Sequence, residues 1–212
     1  MNNKLWSLKI GCLGDSITFG VGANTTYVDL LRSDFGKAIA YGVCGSCITP
    51  GANPVKSLLE RFPDMANDID VIVIFGGTND VGHNVPFGDD DDSMEPTIFK
   101  GALNCLITGV MEKYPEKTVI FCTPVHRDYD GLNSTDYNPV GVNLKMVRDQ
   151  IVARCEYYSL PCLDLYANSG MNIAHSKTAK EIFTFDGIHL NDKGHRRVYE
   201  RLVGYIKMLK GL

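Results

Sequence analysis

The stretch "DVIVIFGGTND", residues 70–80, carries the strongest fold signal in the chain. Residues 70–77 form a nearly continuous run of valine, isoleucine and phenylalanine, which is typical of a strand covered on both faces. Two glycines end the run, and the polar Asn79 follows them. The stretch therefore predicts a buried strand whose carboxyl end opens into a polar segment.

Four further apolar runs have strand character: "LKIGCLG" (8–14), "AIAYGV" (38–43), "TVIFCTP" (118–124) and "PCLDLY" (161–166). Helical patterns separate the five runs. Strands that alternate with helices form a parallel sheet with helices on both faces. The sequence therefore predicts an α/β fold with a five-stranded parallel sheet, in which ligands bind outside the carboxyl ends of the strands.

Capping residues and apolar spacing mark the helices between these strands. Asn53 is expected to cap a helix that has Pro54 in its first turn, and Asn191 to cap the last helix. Further helices are predicted at 26–35, from Pro96 to Tyr114, and along the stripe Leu144, Val147, Ile151 and Cys155. Because no repeat or linker divides the chain, residues 1–212 are predicted to form a single domain.

Composition and charge narrow the class of partner. Hydrophobic residues make up 44% of the 212 residues and charged residues 22%, which is ordinary for a globular protein with a real core. The formal net charge is −4, and lysines and arginines are scattered. This argues against nucleic acid or an anionic membrane as the main partner and leaves a small-molecule substrate. The oligomeric state is left open.

The amino-terminal stretch and the cysteine count predict a cytoplasmic protein. The start, "MNNKLWSLKIGCLGD", has no apolar segment of signal-peptide length, and no window approaches a membrane span. Seven cysteines, an odd number, are typical of reduced thiols.

Unusual polar residues and one glycine stand at or beyond four strand ends. Ser16 follows the first run in "GDSIT", Gly45 follows the second in "GVCGSC", and Asn79 follows the third in "GGTND". Asp186 and His189 come after the fifth run, in "FDGIHLND". Each has an ordinary interpretation as a cap, a turn or a solvated loop residue, but their joint position at strand ends favours one site.

Acyl transfer requires this set of groups. A serine hydroxyl must pass its proton to a base, imidazole suits that role at neutral pH, and a carboxylate fixes the imidazole tautomer. His189 and Asp186 are close enough in sequence for one turn to present both. The Ser16 N–H, the Gly45 N–H and the Asn79 amide could stabilise the oxyanion.

The blocks "GDSIT", the glycine after the second strand, "GGTND" and "DGIHLND" resemble the successive blocks of the SGNH (GDSL-like) hydrolase family, in the same order and from residue 14 to 192. The resemblance implies a three-layer α/β/α sandwich of flavodoxin-like type and hydrolysis of esters through an acyl-enzyme. By position, it implies Ser16 as nucleophile, His189 as base and Asp186 as its orienting carboxylate. Ser16, Gly45 and Asn79 would form the oxyanion hole, with Asp15 supporting the nucleophile turn.

The resulting prediction is a serine esterase that needs no cofactor and no metal. Polar and aromatic residues in the segments 80–97, 124–138 and 166–185 favour a short acyl group, such as acetyl, on a polar alcohol, with carbohydrate as one candidate. A lysophospholipase or thioesterase activity is the alternative within the same chemistry.

Two motifs suggest other functions. Cys44 and Cys47 form a C-x-x-C after a strand, which on spacing alone predicts a thiol–disulfide oxidoreductase or a regulatory disulfide beside Gly45. The aspartate run 89–92 could bind a cation, although such runs are more often solvated loops. Among the histidines, His83 could line the pocket, and His195 is expected to lie near the surface or the sheet edge.

Overall fold

Five parallel strands form the central sheet of the computed structural model, which describes residues 4–212. Their bounds are β1 Lys9–Gly14, β2 Lys37–Gly42, β3 Val71–Phe75, β4 Thr118–Cys122 and β7 Cys162–Leu163. A separate antiparallel hairpin consists of β5 Asp128–Tyr129 and β6 Leu132–Asn133. The predicted five-stranded parallel sheet is confirmed.

The strand order is β2-β1-β3-β4-β7, the order of a flavodoxin-like sheet. The chain moves from β1 to one neighbour, β2, and then returns to pair β3 on the other side of β1. Gly14 at the end of β1 stands in register with Gly42 of β2 and Phe75 of β3. The loops after these three strands therefore leave the sheet side by side at the point where strand order reverses.

Nine α-helices lie among the described residues: α1 Ser16–Phe19, α2 Tyr27–Leu31, α3 Leu58–Arg61, α4 Thr78–Gly82, α5 Phe99–Lys113, α6 Leu144–Tyr157, α7 Leu165–Asn168, α8 Lys177–Phe183 and α9 Asp192–Lys210. Short 3₁₀ segments occupy Lys4–Ser7 and Phe62–Asp64. Within residues 4–212, no helix combines the length and apolarity that crossing a bilayer would demand.

The sheet separates two hydrophobic cores. In β3, Val71, Val73 and Phe75 face the core that α2 and α9 cover, whereas Ile72 and Ile74 face the core that α5 and α6 cover. Because successive strand residues point to opposite faces, burying both faces requires an uninterrupted apolar run. The uninterrupted apolar run in residues 70–77 therefore predicts a central strand.

Three local expectations are corrected by the structure. Asn53 caps no helix: α3 begins only after Ser57, whose side chain and Glu60 form a reciprocal capping box. The fifth strand is shorter than predicted because Asp164 caps α7. His195 is fully buried rather than near the surface, since its Nδ1 accepts the Tyr27 N–H at 3.2 Å.

Candidate active site

Ser16 stands at the turn between β1 and α1. It is the first residue of α1, and its side chain and backbone are together only 5% exposed. The preceding Asp15 caps the helix, because its Oδ1 accepts the Ile17 N–H at 2.9 Å. Burial raises the pKa of Asp15 to about 6. The Asp15 carboxyl therefore stabilises the turn on which Ser16 lies.

His189 and Asp186 meet Ser16 from the other end of the chain. The Nε2 atom of His189 lies 3.0 Å from Oγ of Ser16, and its Nδ1 lies 2.7 Å from Oδ2 of Asp186. With Nδ1–H donating to the carboxylate, Nε2 is left as an acceptor for the serine hydroxyl. The structure brings these three predicted residues into one continuous hydrogen-bonded chain.

The backbone around Asp186 fixes this carboxylate. Its Oδ1 accepts the N–H of Ile188 at 3.0 Å and the N–H of His189 at 2.8 Å. Partial burial acts to raise the pKa of Asp186, but these bonds and the bond from the His189 ring lower it overall. Asp186 is therefore held ionised beside the imidazole.

Each of the three donors predicted for the oxyanion hole keeps an N–H hydrogen without a protein acceptor among residues 4–212. Gly45 occupies the left-handed position of a turn closed by the Ser46 N–H and the Val43 carbonyl, with φ of 76°. Within residues 4–212, the N–H groups of Ser16 and Gly45 bond no protein acceptor. The Asn79 amide donates one hydrogen to the Ser46 carbonyl at 3.1 Å, which leaves its second hydrogen available.

Asp80 and Arg61 hold the loop that contains Gly45, and sequence reasoning missed both roles. The buried carboxylate of Asp80 accepts the N–H groups of Ile48 and Thr49 at 2.9 and 3.0 Å. The Arg61 guanidinium donates to the Gly14 carbonyl at 2.8 Å and to the Ser46 hydroxyl at 2.9 Å. Asp80 is part of the "GGTND" motif. Its role could not be predicted, because the two N–H groups that it accepts lie more than 30 residues away along the chain.

The hairpin β5–β6 forms a wall of the site and lies in the segment 124–138 that the sequence predicts to shape the pocket, although its two strands were not predicted. The Asp128 N–H donates to the Gly187 carbonyl at 2.9 Å. A Cβ atom at Gly187 would lie 1.9 Å from the Asp128 carbonyl oxygen, so only glycine permits this approach. In this position of the hairpin, the rings of Tyr129 and His189 pack edge to face, with their centroids 6.2 Å apart.

A cleft of about 450 Å³ opens beside these groups. Its lining mixes polar and apolar groups, and its polar side chains include Asn79, His83, Arg127, Tyr129 and Asn138. His83, which the sequence offered as one candidate for the pocket lining, borders this cleft.

The C-x-x-C motif is not organised as a redox pair. Both thiols are free, Cys44 exposed and Cys47 buried. Burial raises the pKa of each thiol, whereas a reactive C-x-x-C pair requires a lowered one.

The aspartate run 89–92 forms ion pairs with helices. Asp91 pairs with Lys100 at 2.8 Å, and Asp92 pairs with Arg154 at 3.0 Å. Across residues 4–212, no three His, Cys, Asp or Glu side chains converge as metal ligands.

Comparisons with known proteins bear on the family and on the fold. The model of the GDSL-like lipase/acylhydrolase family matches residues 12–197. Among curated proteins, the search finds no match. A solved protein from Lactobacillus plantarum shares 30% identity and superposes with a TM-score of 0.87, covering 95% of this chain and 98% of that one.

Two more distant structures share the fold. A possible lipase from Chitinophaga pinensis is 19% identical with a TM-score of 0.73, covering 96% of this chain and 99% of its own. The acetyl xylan esterase AlAXEase is 21% identical with a TM-score of 0.65, covering 93% and 98%. At these identities the likeness concerns the fold.

Proposed function

The chain belongs to the GDSL-like lipase/acylhydrolase family, whose members are hydrolases of esters, and from this premise we propose that it is a serine esterase that cleaves short-chain acyl esters through an acyl-enzyme. In this proposal Ser16, His189 and Asp186 are the catalytic residues. The single observation that carries it is the 3.0 Å contact between Nε2 of His189 and Oγ of Ser16.

The reaction begins when Oγ of Ser16 attacks the ester carbonyl and its proton passes to Nε2 of His189. The tetrahedral intermediate collapses as the imidazolium returns that proton to the departing alcohol, which leaves an acyl group on Ser16. Water, deprotonated by the same imidazole, then attacks the acyl carbonyl and releases the acid. Asp186 stabilises the imidazolium in both steps without taking its proton.

In this proposal, the oxyanion of each intermediate is stabilised by N–H hydrogens that have no protein acceptor among residues 4–212. The N–H groups of Ser16 and Gly45 and the second amide hydrogen of Asn79 supply them. Asp80 and Arg61 support this role because they fix the loop on which Gly45 sits. Donors held in place before the reaction avoid a reorganisation cost in the transition state.

We further propose acetyl esters of polar alcohols as the substrate class, with an acetylated carbohydrate as one candidate. The polar side chains in the lining of the cleft, among them Arg127, Tyr129 and Asn138, support a polar alcohol as the leaving group. The fold likeness to an acetyl xylan esterase is consistent with it. Lysophospholipase activity would instead require that long-chain esters be turned over best, and thioesterase activity that thioesters be preferred to oxygen esters.

The test is an activity panel that runs from acetyl to long-chain esters and includes acetylated sugars. Ser16→Ala is expected to lower kcat at least about 10⁴-fold while the protein stays folded. The matched control is Ser33→Ala, which removes an exposed serine hydroxyl that donates to the Leu30 carbonyl at 2.6 Å. Retained turnover in Ser16→Ala, or no turnover of any ester by the wild type, contradicts the proposal.

A further inference from the structure

Arg127 is a buried cation without an anion. It is 4% exposed, and its Nη1 donates to the carbonyl of Thr78 at 3.0 Å. Its Nε is buried and has no hydrogen-bond partner among residues 4–212, and no carboxylate in that part of the chain forms an ion pair with it. By contrast, the equally buried Arg154 pairs with Asp92 at 3.0 Å.

This arrangement is costly for the folded protein. Burying a charge without a partner of opposite sign is unfavourable, and neutral acceptors such as the Thr78 carbonyl compensate it only in part. Burial accordingly lowers the pKa of Arg127. A bound anion would supply the missing countercharge.

Arg127 lies where a substrate of the proposed reaction would be bound. It lines the 450 Å³ cleft together with Asn79, the amide offered for the oxyanion, and with Tyr129, whose ring contacts His189. It also lines a smaller internal cavity that Asp15 and Ile188 border, each adjacent in sequence to a catalytic residue. Arg127 therefore lines two adjoining spaces bordered by residues that neighbour or contact the proposed catalytic residues.

The backbone at Arg127 is fixed before any ligand binds. The Arg127 N–H donates to the Ser134 hydroxyl at 2.7 Å, and that hydroxyl donates to the Arg127 carbonyl at 3.0 Å. A charge held in this way loses little entropy on binding, which is the condition for selective recognition.

We propose that Arg127 is a specificity-determining residue that binds a carboxylate on the alcohol portion of the substrate, so that the enzyme prefers acyl esters of hydroxy acids or acidic sugars. This inference rests on the proposed esterase function. A carboxylate is favoured over a phosphate because one guanidinium balances a single negative charge and would leave a phosphate dianion half compensated.

The experiment compares kcat/KM for 4-acetoxybenzoate with that for the neutral 4-acetoxybenzamide, which has nearly the same shape. The wild type is expected to have the higher kcat/KM for the anionic ester. Arg127→Met is expected to lower the ratio of the two kcat/KM values, benzoate over benzamide, about 10- to 100-fold. This factor corresponds to the free energy of one hydrogen bond to a charged group. Arg127→Lys should restore part of the ratio. The matched control is Lys180→Met, because Lys180 is already paired with Asp128 at 2.9 Å, and its ratio should match the wild type.

An equal loss on both substrates in Arg127→Met, or an unchanged ratio, overturns the proposal, since a purely structural role through Thr78 would affect both esters alike.

Binding is measured separately, by calorimetry on Ser16→Ala with 4-hydroxybenzoate, 4-hydroxybenzamide and inorganic phosphate. The expected result is binding of the benzoate that Arg127→Met abolishes, a readout that stands even if no ester is hydrolysed. Binding of phosphate in preference to benzoate, or of benzoate and benzamide equally, contradicts the carboxylate assignment.

Discussion

Gly187→Ala tests how the hairpin β5–β6 positions the Asp186–His189 turn. Gly187 has φ of 101°, and an added Cβ would lie 1.9 Å from the carbonyl oxygen of Asp128. Carbon and oxygen atoms in contact are normally about 3.3 Å apart, so Asp128 or the turn must move by more than about 1 Å. That shift breaks the bond from the Asp128 N–H to the Gly187 carbonyl.

The expected loss of stability combines two effects. Left-handed backbone at a non-glycine residue costs about 1–3 kcal/mol, and the broken hydrogen bond about 0.5–1.5 kcal/mol. The free energy of unfolding should fall by about 2–4 kcal/mol, and Tm by roughly 5–15 °C for a chain of this size. Because Asp186 and His189 flank the displaced residue, kcat should fall at least about tenfold.

The matched control is Gly141→Ala. Gly141 also has a positive φ, 77°, but an added Cβ would meet no atom within 4 Å. The control therefore carries backbone strain of about 1–2 kcal/mol without a clash, and its kcat should stay within about twofold of the wild type. Thermal unfolding and steady-state kinetics on an acetyl ester measure both effects. Equal kcat values for the two variants would refute the positioning role of the Gly187 contact.

Two other substitutions separate oxyanion stabilisation from loop support. Asn79→Ala should lower kcat about 10²–10³-fold at little change in KM, and a change confined to KM in steady-state kinetics would assign Asn79 to substrate binding instead. Asp80→Asn should alter the pH dependence of stability. Burial raises the pKa of Asp80 to about 6, so the folded wild type binds more protons than the unfolded chain between about pH 4 and 6, and its stability falls as pH rises through that range. The asparagine variant lacks this fall, so its free energy of unfolding in urea, relative to that of the wild type, should rise by about 2 kcal/mol between pH 4 and pH 7. A constant difference contradicts the buried-carboxylate interpretation.

Features that depend on local sequence were predictable. The run in β3 is continuous because both of its faces are covered, and the residues after β1, β2 and β3 could be compared because parallel strands end at one edge. The juxtaposition of Ser16 with His189, separated by 173 residues, followed from this rule together with the family motifs.

Features that depend on distant partners were not predictable. The sequence places His195 near the surface or the sheet edge. In the structure it is buried, and its Nδ1 accepts the N–H of Tyr27, which is 168 residues away along the chain. The two-residue strands of the hairpin β5–β6 are too short to give a periodic signal. Arg127 was visible as a polar residue of a variable segment, but its lack of a countercharge emerges only from the packing around it.

The central claim is that Ser16 is activated by His189 to form a covalent intermediate. Labelling with a fluorophosphonate, in which the serine oxygen displaces fluoride at phosphorus, followed by peptide mass spectrometry tests it most directly. The account predicts an adduct on the peptide containing Ser16, absent from Ser16→Ala and strongly slowed in His189→Ala. An adduct on another residue, or none on the folded wild type, would contradict it.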